Sequence, residues 1–565
     1  MVSSVSSMTV TQIASMTTSA IQALTATDIA AFSTSQISAL TTDEIEAMSG
    51  TQLSELSTKQ MAGLTTTQIA VLTTGQISFS AAQFHVLLAA QIAAFGADEI
   101  AAMTTTQLQG ITTTGIAALT VTQLAAMTTT EVQSLTTNQL QAMTVTDLAA
   151  LSGTQFAALT TKQVAALTAT QIKSLSATQI QSLADTQLAS LTAAQMAALT
   201  TTEIGELTNT EVAALTATQV KGLTKTEMTA FSTGQLDALT TTQMAALTTT
   251  ALSGLTATGV AGLEATQLAA LAATQIAALT GTAVAGLTTT EVVALTTTQV
   301  KGLTSTQINY LTDTQLGALT ATQVGVLSAA QMKGLSSADI GALSLDQVAA
   351  LNVTQMAGLT TTQVKGLTTT EIAALTTTQV AGLSAAAIGA LSTTQLGALS
   401  AAQVGALSTT QIKGLTAAEV AALGTDQLAV LSATQIAALT TTQAKALTTT
   451  ETVSLSTAQV AAMSAAQLGA LTLASAAALT TDQLAVLTTT QIKGFTSTEM
   501  GTLTTTQVAS LSATQVGALT ATQMKGLTTT QLAVLDATQV GALTATPAGR
   551  PDHHPDQGPD GDRGG

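Results

Sequence analysis

Apolar residues recur along this chain every eight positions, and the polar residues between them are almost as regular. The stretch 239–250, Leu-Thr-Thr-Thr-Gln-Met-Ala-Ala-Leu-Thr-Thr-Thr, is typical. The octad is lettered a to h from its strongest apolar position. Slot a is Leu, b Thr, c Thr or Ala, d Thr, e Gln or Glu, f Ile or Val, g Ala, and h Ala or Gly. Slot-a anchors run Met8, Met16, Leu24, Phe32 and onward to Leu72. The next unit, 72–79, has only seven residues, and from Phe79 the spacing of eight holds to Leu543. A second period lies inside the first. Slot-g lysines, at Lys173, Lys221, Lys301, Lys333, Lys365, Lys413, Lys445, Lys493 and Lys525, are separated by multiples of sixteen. Slot-h glycines mostly share that phase, so alternate octads are not equivalent.

One continuous helix does not fit this pattern. At about 100° per residue, eight residues overshoot two turns by roughly 80°, and the apolar stripe never forms a face. A strand is strained too, because slots a and f have opposite parity and need a corner between them to face one core. Short helices fit. Slot-b Thr with slot-e Gln or Glu spells the capping box, in which the hydroxyl takes the N–H three residues on and the amide or carboxylate reaches back. Acids in slot e, such as Glu203, Glu227, Glu371 and Glu499, lie in the first turn, where the helix end is positive. Slot f and the next anchor are three apart and share a helix face.

Helices this short are far below the length of about 12 residues at which isolated helices become marginal, so neighbours must stabilise them. The pattern predicts an all-α solenoid, one very short helix per octad, two octads per sixteen-residue coil. Helix layers about 8–10 Å apart would give a rod of roughly 300 Å. The alternative, a β-solenoid, would be nearer roughly 160 Å. The expected organisation is a lead-in at 1–7, the solenoid at 8–546 with its irregularity at 72–79, and a disordered Pro/Gly/Asp tail at 547–565.

Composition narrows the function. The chain has 565 residues, 46% hydrophobic, 8% charged and 1% aromatic, far from the charge of about 25% usual in soluble domains. Its net charge of −17, with no Arg before Arg550, excludes the clustered cations that a nucleic-acid binder needs. The scattered acids read as solvated surface positions. Without Cys there is neither a disulfide framework nor thiolate chemistry. Thr and Gln interrupt every apolar run, so no transmembrane segment is expected. The first residues, MVSSVSSMTVTQIASM, lack the pattern of a cleaved signal peptide. The tail, with Pro547, Pro551, Pro555 and Pro559, cannot build a core, and it reads as a truncated or frame-shifted terminus.

The search for chemistry returns no catalytic, cofactor-binding or metal site. His85 is the one histidine of the repeats, and His553 and His554 stand in the tail with Asp552 and Asp556 but without a preorganised frame. Asn352-Val353-Thr354 matches a glycosylation sequon, though Asn352 also stands where a capping Thr belongs. Residues 72–103 hold Phe79, Phe84, Phe95, His85 and Leu88 and read as a packing defect filled by bulky side chains, or as a hinge or docking spot. Interface hot spots draw on Trp, Tyr and Arg. Here Tyr310 is the only Tyr and there is no Trp. No specific partner is expected, only weak, multivalent surface contact.

The LTTTQVAGL unit at 375–383 and its many variants resemble the Thr/Gln/Ala/Leu-rich octad arrays of large bacterial surface proteins labelled haem-utilisation or adhesion proteins. The resemblance covers residues 8–546 and implies an extracellular or cell-surface location. It carries over no site residue, and no cofactor is expected. The expectation is a non-enzymatic stalk or spacer of adhesin-like kind. The alternatives are a Thr-rich surface- or ice-binding β-solenoid, using slots b and d, and a haem-utilisation protein by resemblance only.

Overall fold

The computed structural model describes residues 4–544; the tail at 547–565, with His553 and His554, lies outside the described residues. Residues 376–383 show how each octad folds. Leu375 and Thr376 are extended (φ −59°, ψ 140° and φ −71°, ψ 155°), and the helix Thr377–Gly382 follows, ending at the extended Leu383. The Thr376 hydroxyl accepts the Gln379 N–H at 3.1 Å, and the Gln379 amide oxygen accepts the Thr376 N–H at 2.8 Å. Two of the four orphan donors at the helix start are thereby satisfied. Slot a then leaves the helix to bury its side chain, and the β-branched Thr of slot b favours the extended corner. Helices of four to eight residues repeat this pattern, and the described residues contain no strand. The fold is an all-α solenoid, and the β-solenoid alternative is set aside.

The described chain forms two compact units, divided between Leu295 and Thr296. Within each, a helix packs on the third helix along. In the first unit Thr42–Ala47 lies on Thr18–Gln22; in the second, Thr377–Gly382 lies on Val353–Gly358 and Thr409–Gly414 on Ala385–Ile388. The coil therefore closes after three octads, twenty-four residues, and not after the two octads expected from the sixteen-residue period. The length expected from two-octad coils falls with it.

The sixteen-residue period has a different origin. Three is odd, so every octad stacks on neighbours of the opposite parity, and alternation along the sequence becomes alternation up each side of the coil. Slot-h Gly366 approaches the Ser337 carbonyl of the octad three before it so closely that a Cβ would collide with that oxygen. One coil on, on the same side, slot-g Gly389 meets the Gly414 carbonyl twenty-five residues on. These glycines are there for backbone contact, since none takes a left-handed conformation. The nine slot-g lysines do not form one ridge. In the second unit Lys365 and Lys413 share one side of the coil, Lys445 and Lys493 a second, and Lys333 and Lys525 the third.

Slots f and a line the core. Val380 and Ile412 are fully buried, and Leu383 and Leu415 nearly so. Burial of each such side chain is worth roughly 1.5–3 kcal/mol, which offsets backbone ordering only where a coil is covered above and below; at the C-terminal end slot-f Leu532 and Val540 are exposed. At the N-terminal end the 3-10 turn Ser4–Ser7 buries Val5 and lies against Ala26–Ala31.

Among the described residues the seven-residue unit 72–79 is the repeat without a helix; a turn at 74–76 replaces it. Phe79 meets Phe84 edge-on at 5.6 Å between ring centroids, and Phe95 lies tilted 5.9 Å from Phe84. Phe84 is completely buried, whereas His85 beside it is exposed.

Candidate functional site

The most developed arrangement of polar groups is the row of slot-e side chains at the corners of the coils. Slot e was expected to serve its own helix only. Its amide oxygen does so, but its nitrogen leaves the helix. The Gln379 Nε2 donates to the Val348 carbonyl at 2.8 Å and to the Leu351 carbonyl at 2.9 Å, thirty-one and twenty-eight residues back. Gln411 does the same to Val380 and Leu383, and Gln443 to Ile412 and Leu415. In the first unit Gln171 reaches Leu140 and Met143, and Gln243 reaches Val212 and Leu215. Each acceptor pair is the end of one helix and the extended residue after it. Helix ends leave carbonyls without intrahelical partners, and glutamine from the next coil supplies the donor. These glutamines are nearly inaccessible, so the bonds form in a low-dielectric corner where an unmade one is costly.

Slot e is not always glutamine. Ala251, Ala283 and Ala387 keep the helix cap but carry no rung. Ser475 restores part of one, donating from Oγ to the Leu447 carbonyl at 2.7 Å. Glutamate keeps the local half only. Glu203 accepts the Thr200 N–H at 2.7 Å and Glu227 the Thr224 N–H at 2.5 Å, each through Oε2. An ionised carboxylate has no proton for the carbonyls of the coil beneath. Glu44 shows the consequence, because its Oε1 is buried with no hydrogen-bond partner. The slot-e glutamates Glu131, Glu203, Glu227, Glu291, Glu371, Glu419, Glu451 and Glu499 are buried, which corrects their reading as solvated surface charge. Desolvation by burial pushes the Glu203 and Glu227 carboxyls above the usual carboxylate range, outweighing the lowering effect of hydrogen bonds from Thr200 and Thr224.

The other singled-out residues are dispersed. Asn352 caps its helix, its Oδ1 accepting the Gln355 N–H at 3.0 Å while Nδ2 donates to the Gly325 carbonyl at 3.2 Å. Methionines in slots a and f, such as Met143 and Met244, are core residues. Open grooves follow the corners. One of about 660 Å³ in the second unit runs between Lys445 and Glu499 past Gly469, Leu471 and Thr496. A smaller one of about 260 Å³ in the first unit runs between Lys173 and Glu227 past Leu199, Thr200 and Thr224. Among the described residues no group of three or more His, Asp or Glu is placed to hold a metal ion, and no helix is long and apolar enough to cross a membrane.

A family model described as the ALTTAQ repeat matches residues 26–58, 92–129, 132–169, 142–177, 284–321, 377–409 and 385–417. The chain is a repeat protein built on an ALTTAQ-like octad. The match concerns the repeat and carries nothing about haem. No curated protein matches the chain.

Proposed function

We propose that this array is a non-enzymatic structural spacer, an adhesin-like stalk that is secreted or held at a cell surface. One observation carries the reading. The buried polar side chains that recur in every coil spend their hydrogen-bonding capacity on joining that coil to the next, as Gln379, Gln411 and Gln443 do. A chain built this way gains reach with every added coil and does not converge on a cleft. Its exterior is mostly Thr and Ala, with few large apolar residues exposed, among them Val121, Tyr310 and Val430. So sparse an apolar surface favours weak, repeated contacts over one tight interface.

Two measurements test this. Dye pairs placed on exposed threonines of one side of the second unit, one, two and three coils apart, are expected to report distances that grow in equal steps. Distances that level off contradict a spacer. Proteinase treatment of intact producing cells is expected to degrade the array; full protection until lysis contradicts the surface assignment.

A further inference from the structure

Glu203 and Glu227 are twenty-four residues apart, in slot e of consecutive coils on the same side, and their helices Thr201–Glu206 and Lys225–Ala230 pack directly on each other. Both side chains are almost completely buried. By the register of the ladder, Glu203 stands over the Ile172 and Leu175 carbonyls, and Glu227 over those of Met196 and Leu199. Ile172 and Met196 already accept a backbone N–H from Leu175 and Leu199. No described side chain donates to the Leu175 or Leu199 carbonyl, the acceptor for which glutamine is the donor at other rungs. By that register two adjacent rungs bring a carboxyl to a carbonyl that takes no hydrogen bond from a described side chain.

We propose that Glu203 and Glu227 form a proton-operated clasp between consecutive coils. A proton from solvent adds to Oε1, Oε2 keeps its N–H from the helix cap, and the neutral acid donates from Oε1 to the Leu175 or Leu199 carbonyl as the glutamine amide does elsewhere. Loss of the proton returns Oε1 to an acceptor facing an acceptor, and the clasp opens.

The charged groups around the pair are few. Lys225 and Glu206 stand exposed on the same two helices, and Lys221 is exposed in the corner leading into the second. The helices packed against the pair, Ala177–Gln181 and Thr249–Leu252, bring no ionisable side chain; Gln181 donates to Glu206 Oε2 at 2.8 Å. Lys173 faces Glu227 across the groove. A carboxyl raised in the folded state contributes stability that is present at acid pH and lost as pH rises through its folded value. The raised carboxyls therefore place the opening of the clasp above the ordinary glutamate range, on the way to neutrality.

Hydrogen exchange of the full chain between pH 7 and pH 5, corrected for the intrinsic pH dependence of exchange, tests the clasp. Amides across 172–230 are expected to gain about tenfold protection on acidification, the effect of one unmade buried hydrogen bond. The double variant E203Q/E227Q is expected to hold that protection already at pH 7 and to lose the pH response, while residues 424–447, whose slot-e side chains are glutamine and whose carbonyls take donors from Gln459, Gln467 and Ser475, stay unchanged in both proteins. A pH response that persists in the double variant overturns the proposal. E203A/E227A separates donation from relief of charge. It is expected to be insensitive to pH but poorly protected, and protection equal to the glutamine variant overturns the donor role.

Discussion

Residues 72–103 lack one position of the repeat, yet their glutamines still bridge to the coil before. Gln76 reaches the Ile45 and Met48 carbonyls at 3.0 and 2.8 Å, as though nothing had been removed. Past the deletion Gln83 turns to Ser54 and Leu56, twenty-nine and twenty-seven residues back. By Gln123 the spacing to Ile92 and Phe95 is again thirty-one and twenty-eight. Residues 199–230 keep perfect spacing, but at Glu203 and Glu227 the donor itself is gone. An error of length is absorbed over one coil because a turn can replace a helix and three phenylalanines fill the gap. An error of chemistry has no such remedy, since a carboxylate cannot be repositioned into a donor. The array is tolerant in geometry and strict in hydrogen bonding.

The largest test of the first half of that contrast is Phe84→Ala. Phe84 is fully buried beside Phe79 and Phe95, and its removal leaves a cavity where the chain is already one residue short. The expected cost is about 3–5 kcal/mol. Because repeat arrays do not unfold as one unit, the loss should be local. Hydrogen exchange should show residues 60–110 opening while the second unit keeps its protection. A cost below about 1 kcal/mol would mean that the phenylalanines do not repair the defect.

The second test carries the chemical error into regular sequence. Gln379→Glu keeps the helix cap through Thr376 and removes the donor to Val348 and Leu351. It should destabilise the coils around it by about 1–3 kcal/mol at pH 7, and less at acid pH. Gln76→Glu, in the irregular stretch, should cost about as much, because it removes the same two kinds of bond, at 3.0 and 2.8 Å. Urea titration monitored by exchange at each site would measure both. Equal stability of either variant and the parent at pH 7 would show that the amide donor is dispensable.

What the sequence made legible, and what it hid, follows from the range of each interaction. The helix of a regular octad, its Ser or Thr cap and the three-residue spacing of slots f and a all rest on contacts within four residues, and periodicity exposes those. Closure of the coil rests on Gln379 reaching Val348, a contact that no local pattern encodes. A clue was nonetheless present. A capping box uses only the amide oxygen, and at the positive end of a helix glutamate would serve better than glutamine. The prevalence of glutamine therefore asked for an acceptor for its nitrogen. The sixteen-residue period misled because it describes which octads stack on which, not how many make a turn. The ladder also reverses the meaning of the slot-e acids. They look like dispersed surface charge in sequence, and the second half of the same side chain places them in the core.

The smallest predicted effect is a repair. Leu88 occupies slot b, where its side chain cannot accept a hydrogen bond and is 65% exposed. Its own N–H still donates to Gln91 Oε1 at 2.6 Å, so the reciprocal half of the box is already built. Leu88→Thr should add the missing acceptor for the Gln91 N–H without altering the extended backbone of the corner, which threonine occupies at Thr104 and Thr120. The expected gain is about 0.5–1 kcal/mol, the usual worth of a cap added to a helix that lacks one. Exchange of the amides in Ala89–Ala93 would slow roughly threefold, in keeping with that free energy. If the gain instead reached the rest of 72–103, the uncapped helix and not the missing residue would be the weak point of the stretch. If no gain appeared, the helix at 89–93 would owe its place to Gln91 alone, whose Nε2 holds the Leu64 carbonyl at 2.6 Å.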